Sequence, residues 1–301
     1  MTSKNKVILI CGPTASGKTS LGVSVAEEFG GEVISADSRQ FYREMKIGTA
    51  RPSKDELRGI KHHFIGSHSI EKPLSAGDFE RGAIKVVESI FQRGKIPIVV
   101  GGSGLYIDAL LQGLDDLPFD PEIRNKYRAI FNASGIESLK KKLDEIDPTA
   151  SEILDVQNPV RIIRALELIE LTGKPLQDIR RAEQKPPRFP VLGICLSPDR
   201  ELLYEKINLR VEKMIAEGLL EEAKALLPFR NSEALQTVGY RELFPYFDGE
   251  KNLDEAISLI KRNTRRYAKR QLTWFRRKDY LAWFSPTRKK EIFDLIEKRY
   301  S

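Results

Sequence analysis

Only two cysteines, Cys11 and Cys195, and three histidines, His62, His63 and His68, occur in the 301 residues. That scarcity excludes a disulfide-stapled scaffold, and both cysteines lie in apolar strand-like runs where a thiol packs as a small hydrophobe in a reducing compartment. His62 and His63 are adjacent and diverge from one backbone, and His68 follows Gly66 on a loop, so the set lacks zinc-ligand spacing and is expected to cap or pack. No Ser-His-Asp order, G-x-S-x-G elbow or Cys-His pair is apparent. No apolar run approaches the roughly 18–20 residues of a membrane span, and the short apolar N-terminal run leads straight into a glycine loop that signal cleavage would destroy. A cytoplasmic protein without membrane association is expected. Acidic residues are missing from one stretch in particular, Lys261 to Lys278, which carries nine Lys and Arg and no Asp or Glu.

What is present is an ordinary globular composition, 41% hydrophobic and 31% charged, with a net charge of +7. Its length suits one large domain or two smaller ones. The basic stretch "KRNTRRYAKRQLTWFRRK" repeats its charged pairs every four residues. On a helix, Lys261, Arg262, Arg265, Arg266, Lys269 and Arg270 would form one stripe opposite Ile260, Tyr267 and Trp274. Solvated helix faces usually mix signs to gain pairing one turn apart; this one does not, which points to nucleic acid or another extended polyanion. Tyr267, Trp274 and Phe275 are expected as core anchors, with base stacking as the alternative.

The segment "CGPTASGKTS" fits the phosphate-cradling pattern G-x-x-x-x-G-K-[ST] through Gly12, Gly17, Lys18 and Thr19. Its context is right: "KVILIC" (6–11) reads as a buried strand, and the run from Thr19 to Phe29 has helical spacing at Leu21, Val25 and Phe29. In such a loop the amides of Gly12, Pro13, Thr14, Ala15, Ser16, Gly17, Lys18 and Thr19, where an N–H exists, surround a polyphosphate. Lys18 adds a mobile charge, and the Thr19 hydroxyl is placed for Mg²⁺. Two further strands are expected, "GEVISADS" (31–38) with Asp37 at its carboxyl end and "KIPIVV" before Gly101, Gly102 and Ser103. Ligands of open parallel sheets gather beyond the strand ends, so Lys18, Asp37 and Ser103 should meet in one crevice.

After "LDDLPFDPEIR" (114–124) only helical patterns occur until about residue 180. The clearest is "NPVRIIRALELIELTGKP", with Asn158 as N-cap, Pro159 at the first helical position and Gly173 past the end. Ile162, Ile163, Leu166 and Ile169 make its apolar face, with Arg161 and Arg164 on another side. "VLGICL" (191–196) restores a buried strand. The expected fold class is α/β, a P-loop NTPase-like parallel sheet core with an inserted all-helical domain. Residues 1–114 and 187–301 would form the catalytic core with a basic helical tail, and 115–186 the insertion.

Position alone leaves Asp37 open as metal ligand, general base or helix cap. "IPIVVGGS" lacks the strand-end acid by which an NTPase commonly orients its metal. Asp37 is then the strand-end carboxylate that remains, which favours proton removal from an acceptor. A nucleoside or small-molecule kinase, and a non-catalytic RNA-binding ATPase, stay as alternatives.

The blocks "GPTASGKT", "ISADSRQFYREMKIGTARP", "GGSGLY", "NPVRIIRALE", "INLRVEKMIAEGL", "TVGYREL" and "TRRYAKRQLTWFR", in this order over nearly the whole chain, resemble the bacterial tRNA dimethylallyltransferases, also called tRNA isopentenyltransferases. The resemblance implies transfer of a dimethylallyl group from dimethylallyl diphosphate to the exocyclic N6 amine of adenosine at tRNA position 37, 3′ of the anticodon, with diphosphate released. An adenylate isopentenyltransferase is the near alternative. It implies Asp37 as general base, Lys18, Arg210 and Thr19 with Mg²⁺ at the departing diphosphate, and Ser103, a common threonine position, touching the reacting tRNA. Asp37, Ser38, Arg39, Gln40, Ser103, Arg124, Val160, Arg161, Ile162, Ile163 and Arg164 match positions that contact the tRNA anticodon stem-loop. A monomer is expected.

Overall fold

A computed structural model describes residues 5–114, 117–179 and 186–300. The chain divides into two compact units, 1–113 with 187–301, and 114–186. In the first, β1 (Val7–Cys11), β2 (Gly31–Ser35), β3 (His62–His63), β4 (Ile96–Gly101), β5 (Val191–Leu196) and β6 (Leu281–Phe284) form one sheet in the order β3-β2-β4-β1-β5-β6. All its pairings are parallel. Such a sheet is covered on both faces, and alternation along each strand assigns the side chains. Val7, Leu9, Cys11, Ile34, Val99 and Cys195 pack on one side under helices α3 (Ala76–Gln92) and α4 (Gly104–Gln112). Ile8, Ile10, Val33, Ile98, Val100 and Ile194 pack on the other under α1 (Lys18–Phe29) and, at the C-terminus, α13 (Lys289–Tyr300). Cys11 and Cys195 are in register on adjacent strands, both buried and unbridged. A single helical turn, α2 (Lys54–Leu57), precedes β3.

The tail is less purely helical than its pattern suggests. β6 adds an edge strand to β5, and "LAWF" is too short and too evenly apolar for its period to declare it. Before it, α9 (Arg200–Ala216), α10 (Leu219–Ala225), α11 (Phe244–Phe247) and α12 (Leu253–Phe275) enclose a second core of Met45, Leu219, Leu235, Tyr240, Leu243 and Ile260.

The 114–186 unit is all helical among its described residues: α5 (Pro121–Ile146, broken at Gly135), α6 (Ala150–Ile153), α7 (Pro159–Thr172) and α8 (Leu176–Ile179). Tyr127, Leu139, Leu143, Ile162 and Leu166 form its core. The Asn158 side chain accepts from the Val160 amide and Gly173 caps the other end, as the punctuation predicts.

Candidate active site at the strand ends

β1 stops at Cys11 because Gly12 turns with φ +142°, where a Cβ would stand 2.6 Å from the Leu196 carbonyl oxygen. The loop re-enters helix α1 through Gly17 (φ +89°), whose position as N-cap carries no side-chain cap. The first amides of α1 are thus left to an external acceptor at the positive end of the helix dipole. Ala15 at φ +62° is a strained non-glycine in the same loop. Lys18 Nζ donates to the Pro13 carbonyl at 2.5 Å. Desolvation pushes its ammonium down to about 8 against the pull of Asp37, with Arg210 adding to the fall. Arg210 comes from α9 and donates from Nη1 to the Thr14 hydroxyl at 3.0 Å.

Asp37 follows the end of β2, and its Oδ1 accepts the Arg39 amide at 3.1 Å. Its charge acts on Lys18, Arg210 and Tyr267, so the carboxylate and both cations share one field. Ser103, beyond β4, is buried. Its amide donates to Ala36 at 3.2 Å, and its Oγ accepts from the Ser38 amide at 3.0 Å and donates to Ser38 Oγ at 3.2 Å. Burial, with the charge of Asp37 adding to it, pushes the Tyr267 phenol up to about 12. Ser103 therefore holds the Asp37–Ser38 turn in place. Arg39 Nη1 reaches the carbonyls of Glu233 and Ala234, and Gln40 Nε2 those of Thr49 and Ala50. These side chains build the loops around Asp37.

Two site residues escaped the sequence pattern. Gln271 accepts the Thr14 amide at 2.8 Å and donates to the Gly102 carbonyl at 2.9 Å. Tyr267 lies in the field of Asp37. A polar Gln271 one turn after Tyr267, on the apolar side of a basic helix, was the available signal.

In the helical unit, Arg124 and Arg164 are not open cations: both donate to Oε2 of buried Glu167, Arg124 through Nε (3.1 Å) and Nη2 (2.7 Å), Arg164 through Nη1 (2.9 Å). Burial alone would raise Glu167, but the two guanidiniums hold it below the usual carboxylate range. Ile162 is fully enclosed and Ile163 nearly so, so their side chains serve the core rather than a ligand surface. Val160 and Arg161 are exposed, Arg161 lying 3.5 Å from Asp155.

The basic stripe also divides. Lys261 pairs with Glu212 at 2.6 Å, and Arg265 donates to Asn208 at 2.7 Å, both on α9. Arg262, Arg266, Lys269 and Arg270 stay exposed, while Phe275 is buried and Trp274 donates to Asp108 at 3.1 Å. The aromatics of α12 are anchors. His63 Nε2 donates to the Glu32 carboxylate at 2.8 Å, His62 bonds the Ile60 carbonyl, and His68 stacks on Phe64. Among the described residues no cluster of three His, Cys, Asp or Glu could hold a metal, and no helix is long and apolar enough to cross a membrane.

The IPP transferase family model matches residues 40–278. A tRNA dimethylallyltransferase of Christiangramia forsetii is 51% identical over 297 residues, covering 98% of each chain. The crystal structure of a tRNA isopentenylpyrophosphate transferase from Bacillus halodurans superposes with TM-score 0.74 at 39% identity, over 99% of this chain and 97% of that one. A eukaryotic dimethylallyltransferase acting on tRNA gives TM-score 0.76 at 28% identity, over 94% of this chain and 74% of that one. With the P-loop-like sheet, the grouping of Lys18, Asp37 and Arg210 beyond its strand ends and this likeness along nearly the whole sequence, the chain is a transferase that belongs to the IPP transferase family.

Proposed function

We propose that this chain transfers the dimethylallyl group of dimethylallyl diphosphate to the N6 amine of adenosine at tRNA position 37, acting as a cytoplasmic monomer. The observation that carries the chemistry is the shared field of Asp37, Lys18 and Arg210 at one set of strand ends, a carboxylate beside two cations and an uncapped helix N-terminus. Asp37 takes a proton from the amine as its nitrogen attacks the allylic carbon. The carbon–oxygen bond to the diphosphate breaks, and the electron pair leaves with the diphosphate. Lys18, Arg210 and the loop amides meet that growing charge, and removing one such donor typically costs about 10²–10³ in rate.

The donor set suits a hard cation that arrives with the diphosphate, because Thr19 offers one hydroxyl and Mg²⁺ keeps waters and phosphate oxygens as its other ligands. Bound there, Mg²⁺ would neutralise diphosphate charge; the loop and the two basic side chains do the orienting. The acceptor adenine must leave the anticodon stack, a cost of a few kcal/mol, so contacts to the surrounding RNA are required. The exposed cations of α12, with Val160 and Arg161 of the helical unit, offer phosphate and shape contacts. Supplying the protein in parallel with dimethylallyl diphosphate plus unmodified tRNA, and with ATP plus small acceptors, discriminates the readings. Prenylated tRNA is expected. Phosphoryl transfer to a small acceptor would establish the kinase instead, and prenylation of free adenylate the nucleotide-specific enzyme.

A further inference from the structure

Helix α12 lies with one face on the strand ends. Tyr267, Gln271 and Trp274, spaced four and three apart, fall on that face, and Gln271 and Trp274 hydrogen-bond the segment that follows β4. Gln271 Nε2 donates to the Gly102 carbonyl at 2.9 Å, and Trp274 Nε1 to Asp108 at 3.1 Å. The fit is close: a Cβ on Gly102 would stand 2.2 Å from Gln271 Nε2, and one on Gly104 would stand 2.3 Å from the Trp274 ring.

Gln271 alone of the three also reaches the phosphate loop. Its Oε1 accepts the Thr14 amide at 2.8 Å, and the side chain is 5% exposed. The partners fix the amide's orientation, since an N–H must meet the oxygen and a carbonyl must meet the nitrogen. From Gly102 the chain of bonds runs through Ser103 to Ser38, the neighbour of Asp37. From Thr14 it runs through the hydroxyl to Arg210. One carboxamide thus joins the two halves of the site, the leaving-group clamp and the base, which lie on loops from different strands.

We infer that Gln271 is a positioning residue for the transfer, setting the distance between the diphosphate clamp at Thr14 and the base at Asp37 through the Gly102–Ser103 turn. The inference rests on the reading of Asp37 and Lys18 given above. The Gln271 amide is buried and committed to Thr14 and Gly102, and the exposed cations of α12 point elsewhere. Misplacing reacting groups by about 1 Å costs on the order of 10² in rate. The loss should therefore fall on kcat and spare RNA binding.

The test uses full-length Gln271→Leu and Gln271→Glu, assayed with dimethylallyl diphosphate and an unmodified anticodon stem-loop. Gln271→Leu removes both bonds at similar volume and should lower kcat by about 10–100-fold, with the RNA Kd within about twofold of wild type. Gln271→Glu adds a sharper readout. As a carboxylate it faces the Gly102 carbonyl with a second acceptor, whereas as a carboxylic acid it accepts from Thr14 and donates to Gly102 as the amide does. Its kcat relative to wild type, measured at each pH, should rise as pH falls from 8 to 6. A flat ratio, an unchanged kcat in Gln271→Leu, or an RNA Kd that weakens in step with kcat would overturn the inference. If Gln271→Leu does not fold, the Gln271→Glu ratio decides alone. Failure of wild type to prenylate the RNA would instead refute the underlying reading.

Discussion

The Tyr240 hydroxyl donates to Glu222 Oε1 at 2.7 Å, completing a nest in which the same carboxylate accepts the amides of Lys46 (2.9 Å), Ile47 (2.8 Å) and Gly48 (2.9 Å). Residues 46–48 belong to the long loop that starts at Asp37, so a glutamate on α10 and a tyrosine after it fix that loop from outside. A Cβ at Gly48 would lie 2.5 Å from the Tyr240 ring.

Glu222→Ala should destabilise the protein by about 2–3 kcal/mol, the cost of leaving several donors without a charged acceptor. Gly48→Ala should also destabilise it by forcing Tyr240 aside. Denaturant unfolding of both variants measures this, and kcat should fall in whatever fraction stays folded.

Lys18 predicts a pH dependence of substrate binding. With its ammonium pushed down to about 8, it carries its charge at pH 7 and loses it as pH rises through 8 in the free enzyme. Affinity for an anionic diphosphate therefore falls as pH rises, and KM for dimethylallyl diphosphate should climb between pH 7 and 9. Lys18→Met should lose that dependence along with about 10²–10³ in rate.

Glu32 predicts the acid limit of folding. Burial raises its carboxyl, but His63, Arg93 and Lys95 together hold it down to about 2, against an ordinary value of 4.5. A carboxyl depressed in the folded state contributes stability above its unfolded pKa, and that contribution is lost as pH falls from about 4.5 toward 2. The amount is on the order of 3 kcal/mol. In Glu32→Gln, stability measured by urea unfolding should change less across that window than in wild type.

Arg124 gives a prediction that separates structure from RNA contact. Two of its nitrogens serve Glu167, so Arg124→Ala should lower the stability of the helical unit by about 2 kcal/mol, read as earlier loss of far-UV signal or faster proteolysis within residues 117–179. Neutralising Arg262, Arg266 or Arg270 should instead leave stability unchanged and reduce the salt slope of RNA binding by about 1 each.

Much of the fold was legible because its signals are local. "KVILIC", "GEVIS", "IPIVV" and "VLGICL" are buried on both faces, and Asn158, Pro159 and Gly173 punctuate α7. β3, with two residues, and β6, with four, carry too little pattern to be seen. The turn from Gly12 to Lys18 could be located from its spacing, and Gly12 and Gly17 do take positive φ there. The roles around it could not be read so, since they depend on which donors are already engaged. Arg124 and Arg164 look like free cations in sequence, yet Glu167, three residues from Arg164 on α7 and 43 from Arg124 on α5, takes both. Gln271 lies 257 residues from Thr14, and no window joins them. The unmixed charge of the tail was visible, but its division into α9-facing Lys261 and Arg265 and outward Arg262, Arg266, Lys269 and Arg270 follows only from helix packing.

The central claim is that Asp37 removes the amine proton while Lys18 and Arg210 hold the departing diphosphate. The most direct measurement is single-turnover prenylation of an unmodified anticodon stem-loop by wild type and Asp37→Ala, read by mass spectrometry of the digested RNA. The account predicts that wild type places one dimethylallyl group on the adenosine 3′ of the anticodon, and that Asp37→Ala binds the RNA equally well but reacts slower by about 10²-fold or more. A near wild-type rate in Asp37→Ala would contradict it.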